Sequence, residues 1–456
     1  MDILQTLEAI VGKAGMLTGE DVLARPNQAW GLGQCPALAI LRPKTTEEVS
    51  AIMQACSEAG QVVVPWGGLS GLVNGISCEP GDIVVSLERM NAIEALDADA
   101  GVMHVQAGAI LQNVQETAAE LGWQFAVDLG ARGSAQIGGL IATNAGGNSV
   151  VRYGMMREQV LGLEVVLADG RVMTSLNEVI KNNTGYDLKH LFVGSEGTLG
   201  IVTRAVLRLR PAPSAKQTAF VALSDFQSVI TLLRRLGSAF EGKLSSFEVM
   251  WASHYKLLVE ESERHQSFLP ADYPYYVLLE TEGNHPQKEE ALFTEVLSGL
   301  MDEGLVVDAV IAQSVQQTQQ LWEMRDDVEA LVHALFPLAP FDVSLPLRHM
   351  EEYVSAVESA VAQHHPQSRV IVFGHLGDGN IHLVVGPIED KAAVEDLVYG
   401  ELRKLGGSVS AEHGIGLDKR GYLSYSRSDV EIELMKSLKQ VLDPQGLLNP
   451  GKIFAK

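Results

Sequence analysis

Two histidines, His375 and His382, bracket the run His-Leu-Gly-Asp-Gly-Asn-Ile-His, and farther on a carboxylate and an imidazole stand side by side at Glu412 and His413. His375, His382 and Glu412 form a two-imidazole, one-carboxylate set, donor chemistry that suits a divalent cation with positions left open for substrate oxygens. In an uninterrupted strand their odd offset would put the two histidines on opposite faces. Gly377-Asp378-Gly379 must therefore turn or bulge the backbone if the imidazoles are to meet. If Glu412 and His413 lie on a strand they too point apart and need different jobs, which leaves His413 as a candidate general base. On residue types alone, hydrogen-bonded core histidines and a solvated glutamate explain the pattern equally well.

A second kind of chemistry is written in glycine. Between Asp128 and Gly154 seven glycines (Gly130, Gly133, Gly138, Gly139, Gly146, Gly147, Gly154) fall among small and hydroxylic residues. Such backbone can lie directly against a large planar ligand, and its N–H groups can form anion nests without a lysine. A second glycine-rich turn, Pro65 to Gly75, follows the strand-like run Val62-Val63-Val64, the arrangement of a phosphate cradle. Neither turn fits G-x-G-x-x-G, and no G-x-x-x-x-G-K-[ST] occurs, so another nucleotide fold is required. The plain alternative is a pair of glycine-rich surface loops.

The elements that must position these groups alternate. Helical spacing over 3–15, strand-like 37–41, a helix over 46–59 ended by Gly60, and strands over 62–65, 83–87 and 102–106 predict α/β layering, with a helix at 108–121 and a hairpin at 161–173 turning on Asp169-Gly170. After Pro211-Ala-Pro213 the pattern changes. Strand-like runs at 219–223, 275–282, 306–311 and 341–345 alternate with helical ones at 226–236, 288–301, 316–335 and 347–363, which predicts an α+β domain on an antiparallel sheet. A helix over 430–442 ends at Asp443-Pro444.

With 456 residues the chain is too long for a single core. Its net charge of −23 argues against nucleic acid or anionic membrane surfaces as partners, so an anionic substrate must be caught by a local cation. Three cysteines (Cys35, Cys56, Cys78) form no metal spacing and no even disulfide set, which with the absence of a basic leader or a long apolar run sets the expectation of a soluble, cytoplasmic protein.

The two glycine turns together with Asn183-Thr-Gly-Tyr-Asp-Leu-Lys-His-Leu-Phe-Val-Gly-Ser-Glu-Gly-Thr-Leu-Gly-Ile-Val-Thr203 closely resemble the FAD-binding domain of the vanillyl-alcohol oxidase and p-cresol methylhydroxylase superfamily. Within it the chain is similar to the branch of D-2-hydroxyglutarate dehydrogenase, D-lactate dehydrogenase and the glycolate oxidase flavoprotein subunit. The resemblance implies an α+β protein. A two-subdomain FAD-binding domain would span 1–212 after a lead-in at 1–33, a ferredoxin-like substrate cap 213–408, and a C-terminal helical segment, 409–456, would return to the FAD domain. It implies Pro65, Gly67, Gly68, Leu69, Ser70, Gly71 and Leu72 at the pyrophosphate. Asp128, Leu129, Gly133, Ser134, Ile137, Gly138, Ala142, Thr143, Asn144, Gly146 and Gly147 would lie at the isoalloxazine edge. Glu196, Gly197, Gly200, Ile201 and Val202 would meet the ring or ribityl chain, with Asn449 near the cofactor. No His or Cys lies inside the flavin-contacting segments 65–72, 128–147 and 194–202, so the FAD is expected to be non-covalent.

The same resemblance implies a metal at His375, His382 and Glu412, with zinc the first expectation and manganese or iron the alternatives. It makes Arg325 the anchor for a substrate carboxylate, where the plain reading is a surface arginine beside Glu323, Asp326 and Asp327. His375 and His382 would also meet the substrate. Against the 2-hydroxyglutarate enzymes, Glu329 stands where they have a hydroxyl residue, Pro340 where they have a lysine and Val384 where they have an asparagine. The expectation is therefore oxidation of a small anionic D-2-hydroxy acid with a small or apolar side chain, D-lactate or similar. Electrons would pass to an electron-transferring flavoprotein or a quinone, since no nicotinamide site is visible, and a homodimer is compatible with it. The alternatives are a D-2-hydroxyglutarate or D-malate dehydrogenase, a subunit of a glycolate-oxidising complex, and a catalytically silent flavin-binding module.

Overall fold

The computed structural model describes residues 2–455 and divides into two compact units. The first takes in residues up to Gly147, then Gly154–Ala212 and Glu412 onward; the second is Asn148–Tyr153 with Pro213–Ala411. Six residues near the end of the long glycine stretch thus pack with the second unit: Arg152 Nη1 donates to the Glu282 carbonyl at 2.8 Å and the Tyr153 hydroxyl donates to Glu282 Oε2 at 2.8 Å. Among the described residues no helix is long and apolar enough to cross a membrane.

The first unit holds two main sheets. In one, Ala39–Leu41, Ile83–Ser86 and Val63–Trp66 run parallel, with Met16–Leu17 antiparallel at the edge. The crossover helix Thr46–Ala59 begins where the Thr45 side chain accepts from Glu48 N and stops at Gly60 in left-handed conformation. Its Val49, Ile52, Met53 and Cys56, at spacings of three and four, face the core. The other sheet is antiparallel, ordered Ile93–Asp97, Val102–Gln106, Ile201–Arg208, Val160–Val166, Val172–Ser175, the last two joined by the expected Asp169-Gly170 turn. The tail is stitched onto the strand at Val63, whose N–H donates to the Leu447 carbonyl and whose carbonyl accepts from Asn449 N.

The second unit contains β1 (Ala215–Leu223), α1 (Phe226–Ala239), β2 (Leu244–Trp251), α2 (Ala252–Lys256), β3 (Tyr275–Gly283), α3 (Pro286–Asp302) and β4 (Asp308–Ile311). After these come α4 (Val315–Arg325), α5 (Val328–Leu335), β5 (Ala339–Ser344), α6 (Met350–His364), β6 (Arg369–Gly374), β7 (Asn380–Gly386) and α7 (Lys391–Lys404). The strands form one antiparallel sheet in the order β4-β1-β3-β2-β6-β7-β5. This is two β-α-β-β-α-β units joined through β2 and β6. A single bridge from Ser344 to Ser408 stands for the fourth strand of the second unit. Strand β2 was not anticipated from the sequence, and it lies at the centre of the sheet.

The helix expected over 316–335 is two helices. α4 ends at Arg325, and Asp327 caps α5 by accepting from Ala330 N at 3.1 Å. Aspartate side chains favour a cap over a helix interior, so two in succession break the run.

Candidate active site

Directly opposed antiparallel residues point to the same face of a sheet. The registers Ala222↔Tyr276↔Met250↔Phe373↔His382↔Asp342 therefore carry one row of side chains across the second unit. The neighbouring row runs Phe220↔Leu278↔Glu248. At one end this face is closed by apolar side chains, including Leu321, Met324, Leu331 and Leu335 of α4 and α5. The functional candidates lie just beyond.

The expected turn occurs. β6 stops at Gly374, residues Leu376–Asp378 form a single 3-10 turn, and Gly379 completes it at φ 87°, a conformation that glycine adopts without strain. It brings the two imidazoles together, ring centroids 5.2 Å apart at 84°. His375 Nδ1 lies 2.8 Å from Glu248 Oε1, and His382 Nδ1 lies 3.8 Å from Asp342 Oδ1.

Arg325 is 8 % exposed, so the surface-arginine alternative fails. Its Nε donates to Glu248 Oε2 at 2.9 Å, Nη1 donates to Asp326 Oδ1 at 3.0 Å, and Nη2 lies 3.3 Å from His375 Nε2. Arginine can only donate, so this last contact needs a lone pair on Nε2 and leaves the proton on Nδ1, where Glu248 accepts it. Burial alone would raise the Glu248 carboxyl, but the His375 imidazole and the Arg325 guanidinium bonded to it hold it down at about 2. The guanidinium also covers the Phe373 ring at 5.4 Å, and on Phe373 the buried His254 ring is stacked at 4.4 Å. Glu248, Asp342, Phe373 and His254 were not anticipated. The available signal was a glutamate in the middle of Leu244-Ser-Ser-Phe-Glu-Val-Met-Trp251, a run of β-forming residues that had to bury it.

Glu329 is separated from Arg325 by the break between α4 and α5. It lies on α5, largely exposed, where Arg264 Nη2 donates to it at 2.7 Å. Pro340 and Val384 are opposed across β5 and β7, and with Ile371 they make an apolar row beside the one that carries His382.

Glu412 and His413 belong to the first unit, and the segment they open is a loop rather than a strand, so the alternation argument does not apply to them. The backbone there is tied elsewhere: Ile415 N and Gly416 N each donate to Glu196 at 2.7 Å, and Leu417 N donates to the Val73 carbonyl at 3.0 Å. Glu412 Oε1 accepts from Gly147 N at 3.2 Å. His375 and His382 are thus brought together within the second unit. Among the described residues no three His, Cys, Asp or Glu side chains form a ready-made metal cage. Two imidazoles and a carboxylate are donor types that a divalent cation takes: His375 has the Glu248 carboxylate at Nδ1, which leaves the Nε2 lone pair that Arg325 Nη2 now faces, while His382 Nδ1 lies beyond hydrogen-bond distance of Asp342 Oδ1.

The flavin residues gather in the first unit. A Cβ on Gly68 would fall 2.0 Å from the Ser134 carbonyl, and one on Gly147, at φ 114°, 1.8 Å from the Asp128 carbonyl. Gly67 packs on Gly139, and Gly197 on Pro65. Three separate motifs thus pack closely, the first two backbone to backbone and the third through Gly197 on the Pro65 ring. Bordering them, Gln136 Oε1 and Asn449 Oδ1 are buried polar atoms with no protein partner, as a polar cofactor would require. The carboxylate of Glu196 is committed to Ile415 and Gly416, and its carbonyl accepts from Asn449 Nδ2 at 2.8 Å.

Comparison with known proteins agrees with both units. The FAD binding domain family matches residues 37–175, and the family of FAD linked oxidases, C-terminal domain, matches residues 212–453. The mitochondrial D-2-hydroxyglutarate dehydrogenase of Danio rerio is 39% identical, covering 96% of this chain and 82% of that protein. The D-2-hydroxyglutarate dehydrogenase of Stutzerimonas stutzeri (strain A1501) is 36% identical over 99% of both. A protein of Schizosaccharomyces pombe named as a candidate mitochondrial D-lactate dehydrogenase is also 36% identical, over 98% of this chain and 89% of its own. Among solved structures, p-cresol methylhydroxylase with substrate bound superposes with a TM-score of 0.77 at 15% identity, covering 99% of this chain and 96% of that one. That level of identity speaks for the fold alone. With two matching domain families and full-length relatives well above 30% identity, the chain belongs to the FAD-linked oxidase family, and its fold is of the vanillyl-alcohol oxidase and p-cresol methylhydroxylase type.

Proposed function

We propose that the protein oxidises a D-2-hydroxy acid with a small or apolar side chain to the 2-oxo acid and hands the electrons to an acceptor other than nicotinamide, an electron-transferring flavoprotein or a quinone. The observation that carries this reading is the buried Arg325, held beside His375 and bonded to Glu248, whose row neighbours that of His382 on one sheet face. When bound, FAD supplies the hydride acceptor, and a divalent cation, zinc before manganese or iron, supplies polarisation of the α-oxygens.

The residues divide the remaining work. Arg325 pairs with the substrate carboxylate through the Nη1–Nη2 edge, because Glu248 takes the Nε edge. On that edge Nη1 now donates to the exposed Asp326 and Nη2 faces His375 Nε2, and the substrate carboxylate would take the place of both contacts. His375 and His382 would hold the cation through Nε2, with Glu412 as the carboxylate of the set. His413 accepts the hydroxyl proton, a role that typically contributes about 10²–10⁴-fold.

The row Pro340–Val384–Ile371 supports the preference for an apolar side chain, since its three side chains are all apolar. A second reading, D-2-hydroxyglutarate as substrate, draws on the names of the relatives, and D-malate is the shorter dicarboxylic 2-hydroxy acid of the same kind. A silent flavin module would have no use for a buried arginine shared between a carboxylate and an imidazole.

The test is anaerobic mixing of the flavin-loaded protein with D-lactate, D-2-hydroxybutyrate, D-malate and D-2-hydroxyglutarate, with and without chelator, while flavin absorbance is followed. Fast bleaching by the first two that slows under chelation is expected. Bleaching by 2-hydroxyglutarate alone overturns the substrate preference, and bleaching by none overturns the dehydrogenase reading.

A further inference from the structure

Glu248 lies in none of the motifs, yet two of the candidate residues converge on it. It sits near the middle of β2, 1 % exposed, and it is flanked in the sheet by β3 and β6. A carboxylate there is tolerable only when paired and hydrogen-bonded. One oxygen, Oε1, faces His375 Nδ1 at 2.8 Å, and the other, Oε2, takes Arg325 through Nε at 2.9 Å and Nη2 at 2.7 Å. Those partners reach it from different places, the turn after β6 and the last residue of α4.

We propose that Glu248 is a positioning residue for the reaction, whose single carboxylate fixes the His375 tautomer for cation ligation and turns one edge of the Arg325 guanidinium toward the substrate. The proposal deepens the functional reading and rests on it, taking His375 as a cation ligand and Arg325 as the carboxylate anchor. Because Glu248 accepts the Nδ1 proton, Nε2 keeps its lone pair, which Arg325 Nη2 faces at 3.3 Å and a cation would take in its place as the guanidinium turns to the substrate. Because the Nε edge is occupied, a carboxylate can approach only the Nη edge, which fixes its angle. Glu248 also offsets the charge of Arg325, so the anchor discriminates by geometry rather than by a bare positive field. A glutamine has the same shape but cannot do both jobs. Its amide can accept from Arg325 only by presenting N–H donors to His375, which pushes the proton to Nε2 and blocks ligation.

The test uses the full-length, flavin-loaded protein and Zn2+ alone, measured by competition with a chromophoric chelator, so no turnover is needed. E248Q is expected to keep its flavin and to bind Zn2+ 10- to 100-fold more weakly than the wild type, the range usual for lost outer-shell partners of metal ligands. E248D, which keeps the charge on a shorter arm, should recover part of that loss. In an H375A background E248Q should cause no further loss, because the effect passes through His375. With D-lactate, E248Q should raise KM more than it lowers kcat. Wild-type Zn2+ affinity in E248Q, or a full additional loss in the H375A background, would overturn the proposal. If E248Q does not fold, E248D carries the test alone, and unchanged affinity overturns it. A wild-type protein that takes up no Zn2+ removes the metal reading itself, and the proposal with it.

Discussion

Replacing His254 with phenylalanine should flatten the acid side of the stability profile. His254 is 1 % exposed, its ring lies on Phe373 at 4.4 Å and 11°, and its Nδ1 has no hydrogen-bond partner. Burial, reinforced by the Arg325 charge, pushes its pKa from 6.5 down to about 3. A base whose folded pKa is depressed leaves stability untouched above pH 6.5. Below that the unfolded chain takes up a proton the folded one refuses, and stability is lost progressively toward pH 3. At pH 5 the unfolded imidazole is protonated by about 1.5 units of driving force, which is a loss of about 2 kcal/mol from this residue alone. H254F keeps the ring stack and removes the proton site. Urea midpoints for both proteins at pH 7.5 and pH 5 should show the variant losing about 2 kcal/mol less than the wild type over that span. Parallel losses, within about 0.5 kcal/mol, would refute the buried, neutral imidazole.

Other substitutions test the remaining parts. G147A places a methyl group 1.8 Å from the Asp128 carbonyl at a positive φ. It should cut flavin absorbance per protein at least tenfold, beyond the roughly 1–2 kcal/mol of backbone strain alone. D326A removes the acceptor now bonded to Nη1 of Arg325 and should lower KM for D-lactate by up to about fivefold, the worth of one exposed charged contact of at most about 1 kcal/mol, with kcat little changed. The double variant P340K/V384N restores a cation and an amide beside His382. It should shift the kcat/KM ratio of D-2-hydroxyglutarate over D-lactate upward by tenfold or more, a change of about 1.4 kcal/mol.

Much of this was legible in the chain because it was local. The capped helix at Thr46–Ala59, the Asp169-Gly170 hairpin and the turn at Gly377-Asp378-Gly379 each depend on residues within a few positions of one another. Glycine reports close backbone approach directly, so the flavin motifs could be read even though their partners lie far along the sequence. What escaped depended on distant partners. β2 reads poorly because its glutamate and paired serines interrupt an apolar pattern, and only the sheet shows that Glu248 is satisfied by residues some 77 and 127 positions away. The loop at Glu412 is likewise irregular because its amides answer Glu196, more than two hundred residues earlier.

The unit that carries Arg325 and the two histidines is not encoded by one continuous segment, since Asn148–Tyr153 packs with it. A graft that exchanges residues 213–411 with those of a relative would leave Arg152 and Tyr153 of the recipient to meet a foreign residue at position 282. Modules swapped at those two joints should be unstable unless the hexapeptide travels with them, which makes six residues beside the flavin motif the true third boundary of the domain.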